Sequence, residues 1–238
     1  MICAIHQPNF FPWLGYFEKI WRADVFIFLN QVDYEKSGHS MQCYTNRVAI
    51  LGSNGQKKYI YCPVVREHGP QRIDTVIMRD QSWKQDILSE LNKSYGEAPF
   101  KKQIDEWVHE IVDYDTEYLS VFNINAITLL CEKLGIITSL FRQDEYNTKK
   151  HSTELLVELT KEVKCDKYLY GRGGSNYQDP ELFRREKIDA IAQDYISSEY
   201  YQGDGNHPFI PGLSILDALY WIGPDETLKV LKRDRVNI

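Results

Sequence analysis

Apolar residues along this chain recur in two rhythms. Met1 to Ile5 form a short apolar run of buried-strand length, and His6-Gln7-Pro8 interrupt it with polar groups and a proline. Pro12 is suited to the first position of a helix, where its missing N–H costs no hydrogen bond. Leu14, Phe17, Ile20 and Trp21 then follow at three- and four-residue spacing and share one apolar face. The helix is expected to stop near Ala23-Asp24, and Val25 to Leu29 is a second unbroken apolar run. The pattern predicts a right-handed βαβ crossover whose polar loop lies at the carboxyl edge of a parallel sheet, where such sheets bind ligands.

Further along, Gln42 to Leu51 and Lys58 to Val65 read as strands around the turn Gly52-Ser53-Asn54-Gly55, which predicts an antiparallel hairpin inserted at about 40–66. Ile73 to Met78 has the look of another short strand. A helical insertion at about 82–134 follows, with apolar stripes at Trp83, Ile87, Leu88 and Leu91, at Ile104, Trp107, Val108 and Ile111, and at Leu119, Phe122, Ala126, Leu129 and Leu130. Gly135 is placed to cap the last of these helices. Strand and helix then alternate again: Ile136 to Phe141, a helix carrying Leu155, Leu156, Leu159 and Val163, and the strand Lys167 to Tyr170. Ile188 to Tyr195 is a helix end or a late strand, and Ser214 with Asp217 has the spacing of a capping pair for a final helix. The expected fold is one α/β domain over 1–238, with a mainly parallel sheet flanked by helices in a Rossmann-like arrangement.

Composition narrows the partners. The net charge of -6 comes without a basic stripe, which argues against extended nucleic-acid binding but permits a local anion site. Cys3, Cys43, Cys62, Cys131 and Cys165 form no CxxC pair and read as reduced core residues. His39, His68, His109 and His151 show no metal spacing, so no metal site is expected. Neither a signal-peptide pattern nor an apolar run of the roughly 18 residues needed for a span is present, so a cytoplasmic location is expected. Sixteen tyrosines and five tryptophans supply rings suited to stacking on sugars or bases as well as to core packing.

Two stretches carry candidate chemistry. His6 ends the first strand and could act as a general base, with Gln7 or Tyr16 positioning an acyl oxygen; the plainer alternative is a histidine hydrogen-bonded at a strand end. Trp13-Leu14-Gly15-Tyr16 occupies the register of the HxGH motif of nucleotidylyltransferases and pantothenate-synthetase-like ligases. Its glycine is kept and both histidines are absent, which removes the groups that stabilise transferring phosphates. The second stretch is Gly171-Arg172-Gly173-Gly174-Ser175-Asn176-Tyr177, whose glycines would let backbone N–H groups approach a phosphate or carboxylate. It lacks both the Gly-Lys-Ser/Thr ending and the GxGxxG register, so a plain connection remains the alternative. Asp179-Pro180 would cap and open the following helix. Asn46-Arg47 offers a guanidinium that could fork onto a carboxylate or phosphate, or could be an exposed strand charge. The polar run ending at His207 could close over a site and makes His207 a rival base.

The string HQPNFFPWLGYFEKIWRADVF, with the later NR, YLYGRGGSNY and HPFIPGLSILDALYWIG segments, resembles the WbqC-like family, often encoded among genes for O-antigen and other surface glycans. The resemblance runs essentially end to end. It favours functional roles for Asn46, Arg47 and the glycine-rich loop. The setting it implies is lipopolysaccharide synthesis, with a nucleotide-linked amino sugar as acceptor. The leading expectation is an N-acyl or N-aminoacyl transferase with no tightly bound cofactor, drawing on a thioester or acyl-adenylate, with an acyl carrier as a further partner. An ATP-using ligase or nucleotidylyltransferase and a non-catalytic sugar-nucleotide-binding protein are the alternatives. Oligomeric state is left open.

Overall fold

Strands β1 (Ile2–His6) and β2 (Val25–Phe28) lie parallel, in register from Cys3 opposite Val25 to His6 opposite Phe28, with α1 (Leu14–Arg22) as the crossover between them. The computed structural model describes residues 1–34, 44–171, 178–203 and 207–232. β5 (Ser139–Arg142) pairs with the outer side of β2, β6 (Lys167–Tyr170) with the other side of β1, and β7 (Asp189–Ala192) with β6. Every pairing is parallel and the order is β5-β2-β1-β6-β7. The fold is thus α/β, a five-stranded parallel sheet flanked by helices, and β3 (Arg47–Leu51) with β4 (Lys57–Tyr61) makes a separate antiparallel hairpin.

Two-residue alternation in the strands divides the core. Cys3, Ile5, Val25 and Ile27 face Leu155 and Leu159 of α5 (Ser152–Glu162) and Phe183 of α6 (Pro180–Arg185). Ala4, Phe26, Phe28 and Leu169 belong to the other layer, with Phe17 and Ile20 of α1, Phe122 of α4 (Leu119–Lys133) and Leu219 of α7 (Ile215–Lys232). Between β2 and β5 the chain makes the hairpin, α2 (Ser82–Tyr95), α3 (Lys101–Val112) and α4. Both sheet faces are covered, which explains strands that read as continuous apolar runs.

Local signals account for several boundaries. Gly135 follows α4 with φ of 66°, the left-handed conformation that ends a helix most readily at glycine. Asp179 caps α6 by accepting from Glu181 N at 3.0 Å, with Pro180 in the first turn. Cys3, Cys62, Cys131 and Cys165 are buried free thiols, whereas Cys43 lies outside the described residues.

Several details differ from expectation. α1 starts at Leu14 with Trp13 as its cap, because Pro12 is engaged elsewhere: its carbonyl accepts from Ile215 N at 2.8 Å, and Trp13 bridges Ser214. β4 stops at Tyr61 because Pro63 has no N–H for the ladder. Ile73–Thr75 is a 3-10 turn rather than a strand, and the segment beyond it makes only isolated bridges, Val64 with Met78 and Ile77 with Tyr118. Ser214 and Asp217 do not form a reciprocal capping pair. The Ser214 hydroxyl accepts from Leu216 N at 3.3 Å, but the Asp217 carboxylate turns into a buried cluster, accepting from Tyr95 Oη, Tyr200 Oη and Gln202 Nε2 at 3.0, 2.8 and 2.9 Å.

Candidate functional site

The strand order reverses at β1, from which the chain steps to β2 and β5 on one side and to β6 and β7 on the other. In an open parallel sheet the carboxyl ends flanking such a reversal leave a crevice, because the following loops diverge to opposite sides. A cavity of about 210 Å³ lies there, lined by His6, Trp13, Gly15, Tyr16, Lys19, Gly171, Gln193 and Tyr195. His6 ends β1 and Gly171 follows β6, so these two residues stand at one sheet edge.

His6 is held by its own neighbour. Its Nδ1 lies 3.1 Å from the Gln7 carbonyl oxygen, an acceptor only, so in the neutral ring Nδ1 carries the proton and Nε2 is the free acceptor. Tyr16 Oη donates to the same carbonyl at 2.8 Å and sets its ring edge-on to the imidazole, with centroids 4.9 Å apart. One turn later on α1, Lys19 reaches back and its Nζ donates to the Ile5 carbonyl at 2.9 Å. Gly15 is required by close approach: a Cβ there would stand 2.3 Å from the Trp13 ring, which lies across the start of the helix. From the far side of the sheet, Gln193 Nε2 donates to Gly15 O at 2.6 Å and to Glu18 Oε2 at 2.5 Å, and Tyr195 meets Trp13 edge-on.

Burial sets the protonation states. It pushes the His6 imidazole down to about 3, helped by the Lys19 charge and only partly offset by the Gln7 carbonyl. The same burial lowers the Lys19 ammonium to about 8 and raises the Tyr16 phenol well above its usual range. At neutral pH the cavity therefore holds a neutral imidazole, a neutral phenol and an ammonium. Lys19 is only 3% exposed; the neighbouring Glu18 carboxylate offsets part of its shift through space but forms its salt bridge with Arg22 at 3.4 Å. A buried cation with a carbonyl as its hydrogen-bond partner makes the cavity attractive to an anion.

The other expected site residues fall elsewhere. Arg172, Gly173, Gly174, Ser175, Asn176 and Tyr177 lie outside the described residues. Asn46 is clamped to Cys62 in both directions, Nδ2 donating to Cys62 O at 3.0 Å and Asn46 O accepting from Cys62 N at 2.7 Å, so its side chain braces the base of the hairpin. Arg47 opens β3 and lines a smaller cavity that shares Trp13 with the first. His207 sits apart from the imidazole of His6, in a groove of about 590 Å³ with Lys93, Gln202 and Trp221. Behind Gln202 lies Asp217, whose carboxyl burial raises to about 6.

Lys19, Gln193 and Tyr195 were not singled out from sequence. Lys19 looks like a surface lysine on an amphipathic helix, yet its three-residue offset from Tyr16 places both on the turn facing β1. Gln193 and Tyr195 follow β7 at the same carboxyl edge, the one positional signal that marked them.

Comparison with known proteins agrees with the reading of the motifs. The uncharacterized protein Rv1507c of Mycobacterium tuberculosis (strain ATCC 25618 / H37Rv) is 29% identical over 225 residues, covering 93% of this chain and 94% of its own. No solved structure matches the chain significantly. The WbqC-like protein family matches residues 7–229, from the residue after His6 through most of α7, and the chain belongs to that family.

Proposed function

We propose that this protein transfers an acyl or aminoacyl group to the amine of a nucleotide-linked amino sugar, in the cytoplasm, during assembly of a surface polysaccharide such as O-antigen. The observation that carries the reading is the pairing, in one cavity at the strand-order reversal, of a neutral imidazole with a buried ammonium. At about 210 Å³ the cavity is smaller than the roughly 300 Å³ at which whole-ligand pockets begin, so it suits the reacting end of a sugar and an adjoining anionic group.

In this reading Lys19 receives negative charge from the acceptor or donor. That charge offsets the ammonium's effect on His6 and raises the imidazole toward the range in which it can accept a proton. Nε2 of His6 takes the proton as the sugar amine attacks the acyl carbon; the new C–N bond forms, the bond to the carrier sulfur or adenylate oxygen breaks, and the leaving group departs with the electron pair. In this reading Lys19 stabilises the developing oxyanion. Tyr16, committed to the Gln7 carbonyl, orients His6 rather than donating a proton.

The test is incubation of the purified protein with nucleotide-linked amino sugars and a panel of acyl thioesters, or with free acids and ATP, followed by mass spectrometry for the N-acylated sugar. Product from a thioester without ATP supports the transferase. AMP or pyrophosphate release identifies a ligase or nucleotidylyltransferase, and saturable sugar-nucleotide binding without product identifies a binding protein; either outcome overturns the transferase.

A further inference from the structure

Arg47 carries an unfilled binding edge. Its Nε and Nη2 are both buried and neither has a hydrogen-bond partner among the described residues. These two atoms share one side of the guanidinium and point their N–H bonds in parallel, the fork that grips both oxygens of a carboxylate or phosphate. The flat face is already occupied, with Cζ 4.8 Å from the centroid of the Tyr59 ring, so the plane is held while the edge is left over.

A guanidinium's buried N–H donors are costly to leave without acceptors. Such an arrangement is expected where a ligand supplies the acceptors. The cavity that Arg47 lines, about 70 Å³, is the size of a single ionic group, and among the described residues its lining includes Lys57 but no carboxylate. Both donors are shut off from bulk water, so an anion reaches them when a rim side chain turns aside. Tyr44 at that rim is 51% exposed.

We propose that this cavity is an oxyanion subsite in which Arg47 Nε and Nη2 bind a carboxylate or phosphate group side-on, with Lys57 adding charge at the rim. Trp13 lines both this cavity and the one that holds His6, so the two positions are neighbours through one residue. The assignment of the subsite rests on the Arg47 edge; its use by the same substrate rests on the transferase reading.

The experiment is a titration of the full chain with inorganic phosphate and, separately, with acetate, at constant ionic strength made up with chloride. Arginine Nε–H resonances are followed by NMR, and that of Arg47 is identified by its loss in Arg47→Lys. A saturable downfield shift of this resonance is expected, retained in Lys19→Met, with the stronger response to phosphate or to acetate telling which group the subsite prefers. No saturable shift with either anion, or a response that vanishes in Lys19→Met, overturns the proposal. Neither readout requires turnover, so failure of the subsite and failure of the transferase reading are seen separately.

Discussion

Lys19 Nζ donates to the carbonyl oxygen of Ile5 across 14 residues, tying the second turn of α1 to the end of β1, one residue before His6. The contact places a positive charge beside an imidazole that burial already disfavours protonating. Lys19→Met keeps much of the apolar stem and removes the charge. The His6 imidazole is expected to rise from about 3 but to stay below 6.5, since burial is the larger cause of its shift; NMR titration of the ring protons measures this.

The same substitution has a signature in stability. Lys19 falls from its usual 10.5 when unfolded to about 8 when folded, so between those values the unfolded chain binds more protons and stability rises with pH. The unfavourable burial is complete below pH 8 and relieved above 10.5. Relative to Lys19→Met, the wild type should gain about 3 kcal/mol across that window, as read from urea denaturation at both ends.

His6→Ala is expected to lower acyl transfer by about 100- to 10,000-fold while leaving the fold intact, the range for a positioned base. His207→Ala should change the rate little, because His207 lines a different groove and its Nδ1 is engaged with the Pro208 carbonyl at 3.0 Å. Steady-state rates and melting temperatures of both variants decide the matter, and the reverse pattern would move the chemistry to the larger groove.

Asp217 gives an opposite pH signature. Its carboxyl is raised from 3.8 to about 6, so the folded chain binds more protons in that interval and stability falls as pH rises through it. Asp217→Asn should remove this slope, about 2 kcal/mol between pH 4 and 6.5 relative to the wild type. Asp217→Ala should destabilise at every pH, because Tyr95, Tyr200 and Gln202 all lose their acceptor. Denaturant midpoints of the three proteins at the two pH values provide the check.

Ser214→Ala is expected to cost about 2 kcal/mol with turnover retained. Loss of the cap to Leu216 N accounts for roughly half, and loss of the bond from Oγ to Phe11 O at 2.7 Å for the rest. Phe11 has φ of 39°, unusual for a bulky residue, and that bond helps to hold it there. Chemical denaturation together with an acyl-transfer assay separates the two effects.

The opening crossover, the parallel sheet, the hairpin and the succession of helices are legible in the sequence because each rests on short-range physics. Unbroken apolar runs of four or five residues mark strands covered on both faces, three- and four-residue spacing marks helices packed on one side, and glycine and proline mark the breaks. His6 and Gly171 were locatable for the same reason: each follows a recognisable strand, and parallel neighbours bring their carboxyl ends to one edge.

Tertiary structure alone decided the environment of each charged group. Nothing local distinguishes Lys19 from an exposed helix lysine until α1 is laid on β1 and the nearest acceptor becomes the Ile5 carbonyl. Ser214 and Asp217 have ideal capping spacing, yet α2 and the segment at Tyr200 to Gln202 offer the carboxylate three donors that its own helix start cannot match. Gln193 joins the site only because β7 pairs beside β6, 178 residues beyond the Gly15 carbonyl to which it donates. Protonation and hydrogen bonding depend on which distant groups share a low-dielectric pocket, and that partnership is set by the packing of the whole chain.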